Sequence, residues 1–388
     1  MKPIWYHSAE TGAPTLNNAA GSLIAVLDAL LITGFNTKAV TSVGVSAGVA
    51  TAVISGHGYE VGKTLLIAGA TPTVLNGNQV ITAVVDANTV RWAAVGVPDG
   101  AATGTITAKR APLGWVKAFA GANVAMYART DPQATGMLLR MDDTKTGGSS
   151  ATYARAIGVE TAGSVDSYTN KFPLDAQISG GVYISRGSDS AASKPWYAIG
   201  DGRTLYLFTE DASYPVSIYG YHAFAFGDVA SFKVTGDGYA CLIAGGSANN
   251  GTNNFHWSNP DPAAAAGMYL ARLNNGIGGS APASVWARAA SSFIGSTGTT
   301  GSGPVYPSPV DNGMMIDSMV LLREALAAYA HPIRGTLRGV AAPIAQLGGS
   351  LSGTLFDNLI GSPDSFLCIG LCSTGVPGAL LFNTTSAW

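Results

Sequence analysis

Between Thr15 and Thr33 apolar positions recur at helical spacing. Ile24, Leu27, Leu30 and Leu31 fall on one stripe, and Asp28 lies off it. The spacing predicts a helix over 15–33, with Asn17 or Asn18 placed to cap it and Gly34 to stop it. An extended arm from Lys2 to Pro14 comes first. An arm followed by a short amphipathic helix suits docking onto a neighbouring protein. It suits equally a helix packed on its own domain, and the stripe alone does not choose.

From Ala39 the period changes from 3.6 to 2. Short runs follow one another: Val43, Val45, Val49, Ala52 and Ile54 in a first hairpin, then Thr64 to Ala68, Gln79 to Val84, Thr89 to Ala93 and Thr103 to Ala108. Turn residues punctuate them at Gly56-His57-Gly58, Asn76-Gly77 and Asp86-Ala87-Asn88. Short strands at regular spacing predict a small β-barrel or sandwich over 38–110.

Residues 111–388 read as a larger β-sandwich with long loops. Its predicted strands include Gly136 to Met141, Ala154 to Glu160, Gly180 to Ser185, Trp196 to Ile199, Thr204 to Thr209, Tyr239 to Ala244, Met314 to Leu321, Ile333 to Val340, Phe366 to Leu371 and Ala379 to Phe382. Leu321 to Ala330 reads as helical, or as a strand broken by a loop. Gly245 to Pro262 and Gly295 to Pro309 carry too little apolar surface to order themselves and read as exposed loops. The fold class expected is therefore mainly β in three parts: arm and helix over 1–37, small β domain over 38–110, larger sandwich over 111–388.

The stretch Gly44-Val45-Ser46-Ala47-Gly48 fits G-x-S-x-G, the elbow that presents a nucleophilic serine in many hydrolases. That elbow needs a helix directly after the serine. Here Val49 to Ile54 follows, rich in β-branched side chains, so Ser46-Ala47-Gly48 reads as a hairpin turn. Asp142-Asp143, Asp201 and Asp237 sit next to turn residues, and no carboxylate pair suited to a glycosidase stands out. The histidines His7, His57, His222, His256 and His331 are scattered, with no metal-binding spacing. Cys241, Cys368 and Cys372 read as buried, reduced thiols rather than a disulfide framework. No cofactor, metal or catalytic residue is expected.

Charge sharpens this. Only 11% of residues are charged and the net charge is −2, against about a quarter charged in ordinary soluble domains. No basic footprint for nucleic acid is present. The apolar run Leu23 to Phe35 is too short to insert across a membrane and carries Asp28, and the first residues lack the apolar core of a secretory signal. A surface so poor in charge suits a protein covered by partners. The aromatic residues Trp196, Tyr197, Tyr206, Phe208, Tyr214, Tyr219, Tyr221, Phe224, Phe226, Phe232 and Tyr239 read as sandwich core. His256 and Trp257, in the polar loop around FHWSNP, are the candidate ligand-facing pair.

The opening YHSAETGAPTLNNAAGSLIAVLDALLITGF resembles the start of a family of tailed-bacteriophage virion structural proteins. The resemblance continues through LNGNQVITAVV, ITAKRAPLGWVKAF, LLRMDDT, AIGDGRTLYLF, FAFGDVASFK, DGYACLI, DNGMMI, IRGTLRGV and the final Trp388, while HGYEVGKTLLIAGATPTVLNG is similar to a small β domain of phage tail proteins. It implies a structural component of the virion, made in the host cytoplasm and working by contact rather than as an enzyme; it does not fix the position in the particle, for which tail, baseplate or neck is the favoured reading. Other virion proteins and copies of the chain itself, as trimer or hexamer, are the implied partners. Ile24, Leu27, Leu30 and Leu31 would then be the docking stripe. A capsid decoration or head-fibre protein, and a receptor- or carbohydrate-binding module that touches the host surface, are the alternatives.

Overall fold

The computed structural model describes residues 2–145, 153–186, 191–210, 221–246, 267–286, 316–317, 319–324, 332–343, 351–357, 359, 362–371 and 378–388. The chain is mainly β, folded into three largely antiparallel sheets with one short helix.

The helix is shorter than the 15–33 predicted. It runs from Ser22–Asp28 and ends in a π-helical turn, Ala29–Thr33. Gly21 occupies the cap position, and neither Asn17 nor Asn18 caps it. Asn17 is engaged earlier, its Oδ1 accepting the Ala19 N–H at 2.9 Å and its carbonyl accepting the Ser22 hydroxyl at 2.7 Å. The free N–H groups of the first turn instead meet a carboxylate far along the chain, Asp143, which accepts from Leu23 at 2.8 Å and Ile24 at 3.2 Å. A local cap was legible in the pattern; one supplied from 120 residues away was not. Gly34, at φ 69°, ends the helix as expected.

Residues 35–110 form an eight-stranded sheet with its own core of Val43, Val45, Ala50, Ala52, Leu65, Ile67, Ile81, Val90 and Trp92. Strand alternation is clean: in Ser42–Ser46 the odd-numbered Val43 and Val45 point in and Ser42, Gly44 and Ser46 point out. Ser46 and Val49 close the hairpin to Val49–Val53. The connecting pair, Ala47 at φ 48° and Gly48 at φ 74°, has the two left-handed residues of a type I′ turn, whose twist matches the strands it joins. Ser46 therefore sits on an exposed hairpin with strand on both sides, not on an elbow.

The larger part holds a six-stranded sheet, from Val116–Gly121 to Val182–Ser185, and a fifteen-stranded sheet. The extended arm contributes to the latter: Ile4–His7 pairs antiparallel with Trp196–Gly200. In the centre of the large sheet both faces are covered. Along Thr204–Glu210, Leu205 and Leu207 belong to the core shared with the helix and the six-stranded sheet, while Tyr206 and Phe208 belong to a second core on the opposite side. The neighbouring Tyr221–Asp228 divides in the same way, with Phe224 and Phe226 on one side and Ala223 and Ala225 on the other. This explains why TLYLFT and YHAFAF are apolar almost throughout, since a strand buried on both faces has no polar side to alternate with. Most of the aromatic set is core accordingly. Phe232 is exposed, and Tyr214 and Tyr219 lie outside the described residues.

Two predicted strands divide. Ile333 to Val340 separates into Ile333–Thr336 and Val340–Pro343 around Gly339, at φ 68° and packed so close to Trp388 that no side chain would fit. Of Met314 to Leu321, the described residues hold only Ile316–Asp317 and the start of Leu321–Glu324. Leu321–Glu324 is a strand, paired with Ala281–Trp286, and 325–330 lie outside the described residues.

Candidate functional site

The stripe predicted for docking faces inward. Leu27, Leu30 and Leu31 are fully buried, and Ile24 is half-buried against the same core, together with Leu16, Trp115, Tyr127, Leu139 and Trp196. In this fold the stripe is a tertiary contact, and it leaves no apolar face free for a neighbour. His256 and Trp257 lie outside the described residues, as does Cys372. Cys241 and Cys368 are buried free thiols, both pushed up to about 12 by burial.

What sequence reasoning missed is where the scarce charges go. Many are inside, pairing segments distant in the chain. Glu10, just past the arm strand, receives Lys63 Nζ at 3.0 Å and Arg110 Nε at 2.5 Å. Arg110 also donates to the carbonyls of Trp5, at 2.8 Å, and Thr64. Lys63 Nζ lies 3.0 Å from the centre of the Trp5 ring. Lys63, Arg110 and Glu10 are all buried. At the rim His7 Nε2 is 3.1 Å from Glu60 Oε2. This clamp joins the arm to the eight-stranded sheet. Burial acts to raise the Glu10 carboxyl, but the two cations outweigh it and hold it below the usual range. Burial dominates at Lys63 and pushes it down to about 8 in spite of Glu10.

The helix is held at both ends. Asp143, at its start, is paired with buried Arg186 at 2.9 Å. Arg186 also donates to the carbonyls of Ala19 and Lys145. Burial pushes the Asp143 carboxyl up to about 6, against Arg186 and the helix N–H groups. Further along, Asp28 accepts from Lys117 at 2.5 Å and from the Tyr127 hydroxyl at 2.9 Å.

Three more clamps cross the large sheet. Asp228 receives Arg129, the Thr135 hydroxyl at 2.6 Å and Arg203 at 3.3 Å. Arg334 is bidentate to Asp237, at 2.5 and 2.7 Å, and also reaches Glu324. Asp201 receives Arg338 at 2.6 Å while accepting the turn N–H groups of Arg203 and Thr204, both at 2.8 Å. Asp201 and Asp237 do make the turns read from Asp-Gly, and each is also the anchor of a buried arginine. The only signal in the sequence was an isolated arginine or lysine beside an apolar run, as at Lys63-Thr64-Leu65-Leu66.

Among the described residues no group of three His, Cys, Asp or Glu side chains could hold a metal ion. His57 staples a turn, accepting the Tyr59 N–H on Nδ1 at 2.8 Å. Among the described residues no helix is long and apolar enough to cross a membrane.

Across Val49–Val53, Gly77–Asp86 and Thr89–Ala93 the outer face of the eight-stranded sheet carries few charges. Val49 pairs with Ala93 on one side and Ser46 on the other, and Val53 with Thr89 and Ser42. Val49, Val53 and Val80 are exposed on this face, while exposed Val85 and Val95 lie in an irregular stretch at the strand end and in the following turn. Arg91 lies within this grid of valine, alanine, threonine and serine, and Asp86 stands at its edge opposite Thr89.

No protein-family model matches the sequence, and no curated protein does. Among solved structures the chain is similar to the Phage phi92 endosialidase, at 13% identity over 91% of this chain and 71% of that one, with a TM-score of 0.17. A likeness at that score carries no argument about fold or chemistry.

Proposed function

We propose that the chain is a structural component of a tailed-phage particle, in the tail, baseplate or neck, working through protein–protein contact in the assembled virion. The observation that carries this reading is the exposed valine face of the eight-stranded sheet, on a body poor in charge, some of which is drawn into internal clamps. A patch of that kind is unusual on a free monomer and ordinary on a protein that is covered in its assembly. The sequence resemblance to virion proteins points the same way. The neighbour on this face is another virion protein or a further copy of the chain, in a trimer or hexamer.

The test is incorporation. Val49→Asp combined with Val80→Asp places two carboxylates on the outer face and leaves the core untouched. The purified double variant is expected to melt with the wild type yet be missing from purified particles. Normal incorporation of the variant, or particles of full infectivity without the chain, overturns the reading.

A further inference from the structure

The outer face of the six-stranded sheet carries a cleft of about 240 Å³ lined by Asp142, Thr144, Lys145, Tyr153, Arg155 and Tyr183. Strand register builds it. Asp142 pairs with Arg155 and Arg155 with Tyr183, so these three side chains form one row across three adjacent strands. Tyr153, two residues before Arg155, shares their face, and its ring meets that of Tyr183 edge-on at 5.7 Å. The intervening Ala154 and Ala156, with Met141, Val182 and Ile184, turn the other way into the core. The floor is fixed, because Arg186 holds the Lys145 carbonyl and the Thr144 hydroxyl donates to Asp142 at 2.7 Å.

The electrostatics of this row differ from those of the buried clamps. Arg110, Arg129, Arg186, Arg334 and Arg338 each have a carboxylate within 4 Å. Among the described residues Arg155 and Lys145 have none. Asp142, the carboxylate of the cleft, is answered by Arg140 at 3.5 Å. Arg155 lies over the Tyr183 ring at 3.6 Å and spends Nε and Nη2 on the carbonyls of Ser179 and Gly181. The cleft thus offers two cations without a carboxylate within 4 Å, and a carboxylate and a hydroxyl that accept from ligand O–H groups.

We propose that this cleft binds a single acidic sugar ring, free or at the end of a glycan. Arg155 and Lys145 meet the carboxylate of the sugar, and Asp142 and Thr144 its ring hydroxyls. The volume lies below the roughly 300–1,000 Å³ of drug-sized sites, which suits one ring and excludes a bound oligosaccharide. The site is separate from the valine face and stands or falls independently of any place in a particle, because it is read on the isolated protein.

The experiment titrates the full chain with glucuronic acid, with glucose as the same ring lacking the carboxylate, and with sulfate as an anion lacking the ring, by calorimetry and ligand-observed NMR. Glucuronate is expected to bind with Kd on the order of 1 mM, at least about tenfold more tightly than glucose or sulfate, the scale of one charged hydrogen bond. Lys145→Ala is expected to weaken glucuronate binding about three- to tenfold, and Arg155→Gln by about tenfold or more. Lys145 is exposed, so its replacement reports on the site without threatening the fold. Equal binding of glucuronate and glucose, sulfate binding as well as glucuronate, no saturable binding at all, or an unchanged Kd in Lys145→Ala overturns the proposal.

Discussion

Glu10→Gln is the sharpest test of the charge clamps. The side chain keeps its size and loses its charge, leaving Lys63 and Arg110 together in a buried site, where all three groups are less than 10% exposed. Breaking a buried pair from one side costs about 3–5 kcal/mol, because the remaining ion stays desolvated without its partner. Unfolding entropy near the transition is about 2.1 cal/mol/K per residue, or about 0.8 kcal/mol/K for 388 residues unfolding together. A loss of about 4 kcal/mol then lowers Tm by about 5 °C. The assay is calorimetry of the full chain with urea titration alongside. The double variant Glu10→Gln, Lys63→Met removes one of the stranded cations, and is expected to recover part of the loss. A Tm change under about 1 °C for Glu10→Gln, or a double variant that falls by the sum of the single effects, refutes the reasoning that the three groups act as one buried unit.

Four further outcomes follow from the same geometry. Lys63 is pushed down to about 8 in the fold, so above that pH the folded chain has released a proton that the unfolded chain still holds; unfolding free energy should therefore rise between about pH 8 and 10 relative to Lys63→Met, seen in urea midpoints. Asp143 is raised to about 6, so the folded chain keeps a proton the unfolded one has lost, and unfolding free energy should fall as pH climbs from about 4 to 6; Asp143→Asn should flatten that slope. Leu30→Ala, at a fully buried position, should cost about 2–5 kcal/mol in the isolated chain, whereas a stripe reserved for a partner would lose almost nothing. Ala47→Gly relieves a left-handed alanine at φ 48° and should stabilise the hairpin by up to about 1 kcal/mol in thermal melts.

The sequence displayed local order and hid long-range order. Thr64–Ala68, Thr89–Ala93 and Phe366–Leu371 lie where period and turn residues put them. The hairpin at Ser46 was legible because VATAVI excludes the helix an elbow requires. The helix start was misplaced, since the group that satisfies its N–H donors is Asp143. Its apolar stripe left docking and self-packing equally open, because a periodic stripe says that a face is buried and does not say against what. The cleft was invisible for a related reason. Asp142, Arg155 and Tyr183 are neighbours only through strand register, and nothing in their spacing along the chain announces it. Aspartates beside glycines read as turn formers, correctly, yet their second role as arginine anchors depends on partners 97 residues away for Asp237 and 137 for Asp201.

Strands packed on both sides have no idle position. From Leu205 to Phe208 residues answer alternately to one core and the other, so no large-to-small substitution there is silent. Lineages under pressure to diversify would have to place their changes elsewhere, at the exposed positions of the eight-stranded sheet that no neighbour covers. A saturation-mutagenesis map of this chain should therefore show two regimes: an intolerant central ribbon, and a permissive outer sheet whose remaining constraint reports on whatever touches it.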